Sequence, residues 1–320
     1  MAIKHYKIPG PVNLIIIIVC SLMYFLLLWE ASHTQHYGWT LICGFLFAVN
    51  MVPVYSLIHE AEHGILHSNE RMNNLLGTWL STLFIAPYTF FKHCHLKHHK
   101  KNRTDEEMWD LYYEHKEKFK KYGTLYGMMI GLGYFSMWLA VLLFAVAPRL
   151  IYTRFFYAQK EIGGFIKGSD RKDKVAHSRL ESILVILFQA GIFYLLNLNW
   201  PAWLTLFAMH GFLWSSQNYV NHAFSPRDII NGAHNLKIPS WLKWVYLNFN
   251  LHLAHHQNPK IPWIYLPDYV SEGVGRISFL KNYLRLWKGP KLTHEPSPHL
   301  NELSAIQEND SLKESDAPYS

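Results

Sequence analysis

Hydrophobic and polar residues are sorted along this chain into long blocks. Residues 11–29 and 39–58 carry no formal charge. Each is close to the roughly 20 residues that a helix needs to cross a hydrocarbon core of about 30 Å. The polar interval 30–38 between them predicts a helical hairpin. Residues 75–91 are also uncharged, but the run is shorter, contains Pro87 and lies between two histidine clusters. Residues 123–148 form an uncharged, glycine-bearing run. Residues 182–217 form a longer one, punctuated by Asn197, Asn199 and Pro201, which reads as two tightly joined spans.

The distribution of Lys and Arg sorts these runs. The intervals 30–38 and 197–201 contain neither residue, whereas every other interval between apolar runs contains at least one. If those two turns alone face outward, every basic residue stays on the cytoplasmic side, including the block 149–179. Four spans suffice, and 75–91 and 123–148 become interfacial or re-entrant helices that enter and leave on one face. A six-span alternative would place one basic flank outside. The expected fold is therefore an all-α integral membrane protein: four transmembrane helices, interfacial or re-entrant helices, and a cytoplasmic histidine-rich cap beginning beyond Tyr219. We expect one domain over 1–290 and a disordered polar tail over 291–320, where large apolar residues are few. The basic N-terminus precedes an apolar run too long for a signal peptide, so it reads as a retained helix.

Composition agrees with this picture. The 320 residues are 50% hydrophobic and only 17% charged, against roughly 25% in soluble domains, which excludes an ordinary soluble enzyme. The net charge of +7 points, in this setting, to an anionic membrane surface and to no nucleic acid partner. Cys20, Cys43 and Cys94 form no CxxC pair, so neither a disulfide framework nor a zinc knuckle is expected.

The histidines cluster. His59 and His63 stand in HEAEH, His95, His98 and His99 in HLKHH, Asn218 and His222 in NYVNH, and His252, His255 and His256 in HLAHH. Spacings of three and four place side chains on one helical face, so each cluster can present its imidazoles to a common point. Each lies at the end of an apolar run or in the cap, all on one membrane face in the four-span arrangement. A lone histidine near a membrane is ordinarily an interface residue, but two HxxHH strings with an HxxxH and an NxxxH on one side are not explained that way. Ten ligands exceed what one tetrahedral zinc accepts and suit two first-row metals with room for a small molecule, for which imidazole-rich open coordination favours iron.

These boxes resemble the membrane fatty acid desaturase superfamily over roughly residues 11–268. The Asn-Phe-Asn-Leu string at 248–251 and the Pro-x-x-Pro-Trp string at 259–263 are similar to that family as well. The resemblance implies three histidine boxes and an Asn-x-x-x-His element binding two iron ions (Fe2+/Fe3+) at the cytosolic ends of a four-helix bundle, with O2 as co-substrate. Box by box it implies His59 and His63, then His95, His98 and His99, then Asn218 and His222, then His252, His255 and His256 as ligands. Acyl desaturases, hydroxylases and carotenoid ketolases share these boxes, so the set specifies the metal site and leaves the substrate open. Fatty acyl desaturation is the simplest expectation, with hydroxylase, ketolase or oxidative decarboxylase chemistry as the alternative.

Other residues are candidates for support. Glu60 and Asp105 are expected to orient ligating imidazoles through their second nitrogen, among carboxylates that also include Glu62, Glu106 and Asp268. His67 lies about 80° round an ideal helix from His59, and His234 beside Asn235 could donate to a ligand. His93 and Cys94 should point away from the site, while His210 sits within a span, where a histidine is often functional. Phe90, Tyr219 and Trp214, with Trp79 and Tyr88, are candidates to line a slot for an alkyl chain.

Two rival readings exist. Residues 59–63 are also a literal HExxH, the string of zinc proteases with Glu60 as base, but that reading leaves both HxxHH clusters without work. Metal transport would need polar groups along the spans, which offer few beyond Asn50 and His210. An O2-dependent oxidoreductase also needs electrons, and the chain has no haem-binding His-Pro-Gly-Gly string or flavin fingerprint. A separate donor of ferredoxin or cytochrome type is therefore expected, for which Lys92, Lys97, Lys100, Lys101 and Arg103 form a candidate basic dock.

Overall fold

The structure is a computed structural model, and it describes residues 6–270 and 275–299. Helix α1 (Gly10–His33) has Pro11 in its first turn, where a missing N–H is harmless. A short turn leads to α2 (Tyr37–Glu62), which packs along α1 as the expected hairpin. Then α3 (Glu70–Phe84) begins at Asn69, whose side chain accepts from Met72 N at 3.0 Å. It ends at Ile85, in the left-handed region at φ 60°, before Pro87 opens α4 (Tyr88–Lys101).

After the two-residue strand β1 (Leu111–Tyr112) come α5 (Lys118–Gly127) and α6 (Gly133–Val146), joined by a π turn over Met128–Leu132. Gly131 adopts φ 125° there, a conformation that side chains rarely take, so the apolar run bends at this glycine. Short helices α7 (Arg154–Tyr157) and α8 (Lys160–Ile166) carry the basic block. They are followed by α9 (Lys172–Leu195), α10 (Trp200–Asn218), α11 (Lys243–Tyr246), α12 (His252–Gln257) and α13 (Phe279–Leu286).

The main core lies where α1, α2, α3, α6, α9 and α10 meet, around Tyr24, Phe47, Met51, Phe84 and Phe207. The outer faces of the long helices expose Ile15, Leu22, Phe45 and Leu187, an apolar surface that suits hydrocarbon and not water. Among the described residues four helical segments are long and apolar enough to cross a membrane: Gly10–His33, Tyr37–Glu62, His115–Val146 and Lys172–Leu195. The number equals the expected four, but the membership differs. His115–Val146 includes the run read as re-entrant, and α10, read as a span, is shorter and carries His210, Gln217 and Asn218.

Contacts bear on this difference. Lys121 of α5 reaches Met108 O and Glu161, and Phe144 of α6 packs on Phe90 of α4. Both ends of the bent α5–α6 unit therefore touch segments near the histidines. The end of α1, at Ser32 and His33, and the turn at 197–199 share a surface recess that also includes Pro201.

The polar segment from residue 291 starts inside the fold. Strand β2 (Lys291–Leu292) pairs in parallel with β1. Glu295 O accepts from Arg227 Nη1 at 2.8 Å, and Ser297 Oγ accepts from Asp105 N at 3.2 Å. The sequence reading missed this because backbone pairing makes little demand on composition. Residues 300–320 of the expected tail lie outside the described residues.

Candidate metal centre

Four elements deliver the box histidines to one place. His59 lies in the last turn of α2 and His63 caps it, α4 presents His95, His98 and His99, α12 presents His252, His255 and His256, and His222 follows the end of α10. They form two groups, His59, His63, His95, His99 and His255 in one, and His98, His222, His252 and His256 in the other. Within each group the candidate ligand atoms lie within 4.8 Å of one another. In the first, His95 Nε2 is 2.8 Å from His63 Nε2 and 3.1 Å from His99 Nε2, which is itself 3.1 Å from His255 Nε2. The groups abut, with the His99 and His256 rings stacked at 4.3 Å.

The donor chemistry fits two bound metal ions. His59 Nε2, His222 Nε2 and His256 Nε2 are buried without a hydrogen-bond partner, an arrangement that is costly unless a cation takes the lone pair. Burial, then neighbouring imidazoles, holds His95, His99, His255 and His256 well below the ordinary value of 6.5. Burial, then His98, pushes His252 down to about 3. Neutral imidazole is the metal-binding form, so the site is poised for a metal near neutral pH.

Support comes from residues that spacing did not single out. His98 Nδ1 donates to Glu107 Oε2 at 2.5 Å, which leaves Nε2 for the cluster. His222 Nδ1 donates to Gly232 O at 2.9 Å and so fixes the same tautomer. Gly232 is packed so closely that a Cβ would meet Asp228 O at 2.1 Å and Arg103 Cγ at 2.4 Å. Behind Glu107 lies a buried network. Arg103, 1% exposed, donates to Asp110 Oδ1 at 2.6 Å and to the Tyr219 hydroxyl at 2.7 Å, and that hydroxyl donates to Asp110 Oδ1 at 2.9 Å with Glu107 O 3.2 Å away.

Several expected roles are not met. Asp105 bonds Arg227 and Tyr113 and touches no histidine, because the turn Asp105–Glu107 directs Glu107 inward instead. Glu60 accepts from Trp263 N at 3.0 Å, anchoring the chain after α12 to α2. That contact also occupies the carboxylate that a zinc-protease reading would need as base. Glu62 is the nearer carboxylate of that box, 3.9 Å from His95 Nδ1. His67 accepts from Asn69 N, and His234 bonds Ala223 O, both away from the clusters. His93 bonds Lys167 O and Lys174, pointing away as expected. Arg103 drops out of the basic dock, since it is buried on Asp110.

Asn218 accepts from the Tyr55 hydroxyl at 3.2 Å and lines a cavity of about 300 Å³. His95 of the first group and His98, His222 and His252 of the second line the same cavity. The rest of its wall is mostly apolar, from Phe90, Phe91, Leu143, Phe156, Ile166 and Trp214. Phe90, Trp214 and Tyr219 thus all line this cavity, although the Tyr219 hydroxyl is spent on the Arg103 network. Trp79 and Tyr88 do not line it; they bond Ser21 Oγ and Ala61 O. Cys94 does line the cavity, contrary to the expectation that it points away from the site.

Known proteins are similar to this chain. Residues 34–277 match the family described as fatty acid desaturase. A fatty acid desaturase of Bacillus subtilis (strain 168) is 23% identical over 279 residues, 79% of this chain and 74% of that protein. A chloroplastic omega-6 fatty acid desaturase of Glycine max is 22% identical over 218 residues, 64% of this chain but only 49% of that protein. With histidine groups of this geometry and a family match that takes in all four boxes, the chain belongs to the fatty acid desaturase family and is an oxidoreductase.

Proposed function

We propose that this oxidoreductase is a membrane-bound di-iron enzyme that uses O2 and external electrons to oxidise an unactivated C–H bond of a long acyl chain, most simply by desaturation. The observation that carries the reading is the apolar cavity of about 300 Å³ lined by histidines of both groups. An alkyl chain is the ligand that such a wall accepts without leaving polar groups unpaired. The nine box histidines, five in one group and four in the other, are with Asn218 the residues that would hold the metals. Bound iron would supply the oxidising power for a bond that side-chain acids and bases cannot break.

The protein's own part is placement and exclusion of water. Phe90 and Phe91 on α4 and Trp214 on α10 would hold the methylenes against the histidine faces, and Glu107 would keep the His98 ring turned toward them. We assign α1, α2, α9 and α10 as the spans and the histidine side as cytoplasmic. The support is that the end of α1, just before the first Lys/Arg-free turn, shares a recess with the second such turn. Lys97, Lys100 and Lys101 beside the second box would dock a separate ferredoxin or cytochrome-type donor.

The test is iron content together with turnover in lipid. Two irons per chain are expected, and His95→Ala, His98→Ala or His255→Ala should each abolish the product while His93→Ala keeps it. Activity retained in two of the three box variants would overturn the assignment. Labelled O2 appearing in the product would replace desaturation by hydroxylation or ketone formation.

A further inference from the structure

A second, smaller cavity of about 40 Å³ lies beside the large one, and Tyr55, Trp214, Asn218 and Phe249 line both. Its wall carries polar atoms that the fold leaves unmatched. His210 Nδ1 and Nε2, Asn221 Oδ1 and Trp214 Nε1 are buried and have no hydrogen-bond partner. His210 is 1% exposed and Asn221 4%. The nearest rings to His210 are those of Tyr134 and Phe84, at 4.7 and 5.1 Å. A neutral imidazole offers one donor and one acceptor, the amide oxygen accepts and the indole N–H donates. Bridging water satisfies such a mixed set, and at roughly 10–15 Å³ for each water the cavity has room for about three.

The chemistry of the proposed function calls for such a compartment. Desaturation converts –CH2–CH2–, O2, two electrons and two protons into –CH=CH– and two waters. Two C–H bonds break, the substrate gives up two electrons, a one-electron donor supplies two more, and O2 takes all four. Two of the four protons in the product water come from solvent. An alkyl chain filling the large apolar cavity closes that side to water, so solvent protons need another path. Across the shared wall the Tyr55 hydroxyl donates to Asn218 Oδ1 at 3.2 Å, which gives a hydrogen-bonded link between the two cavities.

We propose that the small cavity holds a short file of ordered water, anchored by His210, through which protons reach the Asn218 side of the metal centre and product water leaves. This role rests on the desaturase reading; the water file itself does not.

Radiolytic hydroxyl-radical footprinting of the iron-loaded full chain in lipid nanodiscs tests it, because a buried side chain is oxidised quickly only where water touches it. Met51 and Met129 are both 0% exposed; Met51 lines the small cavity and Met129 lines neither. Oxidation of Met51 several-fold faster than Met129 is expected, and equal slow rates would overturn the proposal. His210→Phe should bring Met51 down to the Met129 rate, leave iron content unchanged and lower the product formed per O2 consumed. His210→Gln, which keeps a donor and an acceptor, should preserve fast labelling. Full labelling and full coupling in His210→Phe would remove His210 as the anchor, and if that variant does not fold, the wild-type comparison of the two methionines decides alone. Fast Met51 labelling in a protein without desaturase activity would leave the water file and remove its proton-delivery role. A dry Met51 in an active desaturase would overturn the water file and its proton-delivery role while leaving the desaturase reading in place.

Discussion

His98 Nδ1 lies 2.5 Å from Glu107 Oε2, and this contact sets both the tautomer and the tilt of an imidazole that belongs to the second histidine group. An ionised carboxylate accepting from the ring N–H makes the opposite nitrogen a better donor to a metal. Glu107→Gln keeps the shape but removes the charge and offers a competing amide. Iron affinity of the second group should fall about 10–100-fold, so iron per chain in the purified protein should drop from two toward one. Two tightly held irons in this variant would mean that Glu107 only packs.

The charge behind Glu107 is as exposed to a single change. Arg103 and Asp110 are 1% and 0% exposed, and the guanidinium also holds the Tyr219 hydroxyl and Ser225 O. Arg103→Met leaves Asp110 buried without its cation, a change that costs about 3–5 kcal/mol in buried pairs. Arg103→Lys should recover only part of this, because an ammonium cannot reproduce the planar fork. The apparent melting temperature in detergent should therefore order wild type, Arg103→Lys, Arg103→Met, and equal values for the first and last would show the pair to be dispensable.

The box histidines were legible because their three- and four-residue spacing is a local property of helices. Glu107 was not, since Asp105, Glu106 and Glu107 are adjacent carboxylates and only the turn over Asp105–Glu107 decides which faces His98. Arg103 read as part of a surface dock because burial of a charge depends on a partner seven residues away and a tyrosine on another element. The first hairpin followed from blocks of apolar residues alone. The bend at Gly131 did not, since a glycine in an apolar run signals a kink only when its neighbours require one.

The metal-free protein should be acid-sensitive, and the sign follows from the histidines. Burial, then neighbouring imidazoles, holds His222, His255 and His256 well below 6.5, and burial, then His98, takes His252 to about 3. The unfolded chain protonates these groups near the ordinary value while the folded chain does not. Stability is therefore complete above about pH 6.5 and declines as pH falls toward the folded values. Each imidazole kept neutral contributes up to about 1.4 kcal/mol per pH unit in that window. The melting temperature of iron-free protein should fall steadily between about pH 7 and pH 5. Iron-loaded protein should fall less until protons displace the metal. A flat profile for the iron-free protein would show that these rings titrate normally.

Two aromatic residues of the large cavity should fail in different ways. Phe90 is 5% exposed, packs on Phe144 at 5.0 Å between ring centroids and has no polar atom to spend elsewhere. Phe90→Ala therefore enlarges the cavity wall beside α4 while leaving the histidine groups untouched. With a mixture of acyl substrates, its product distribution should shift in chain length or double-bond position, at normal iron content. Tyr219 also lines the cavity, but its hydroxyl accepts from Arg103 and donates to Asp110, with the Glu107 carbonyl 3.2 Å away. Tyr219→Phe keeps the ring and removes those bonds, so it should lower thermal stability or iron retention without moving the product distribution. If the two variants exchange these outcomes, the alkyl chain runs along Tyr219 instead, and an unchanged distribution in Phe90→Ala, folded and iron-loaded, would place the slot away from α4.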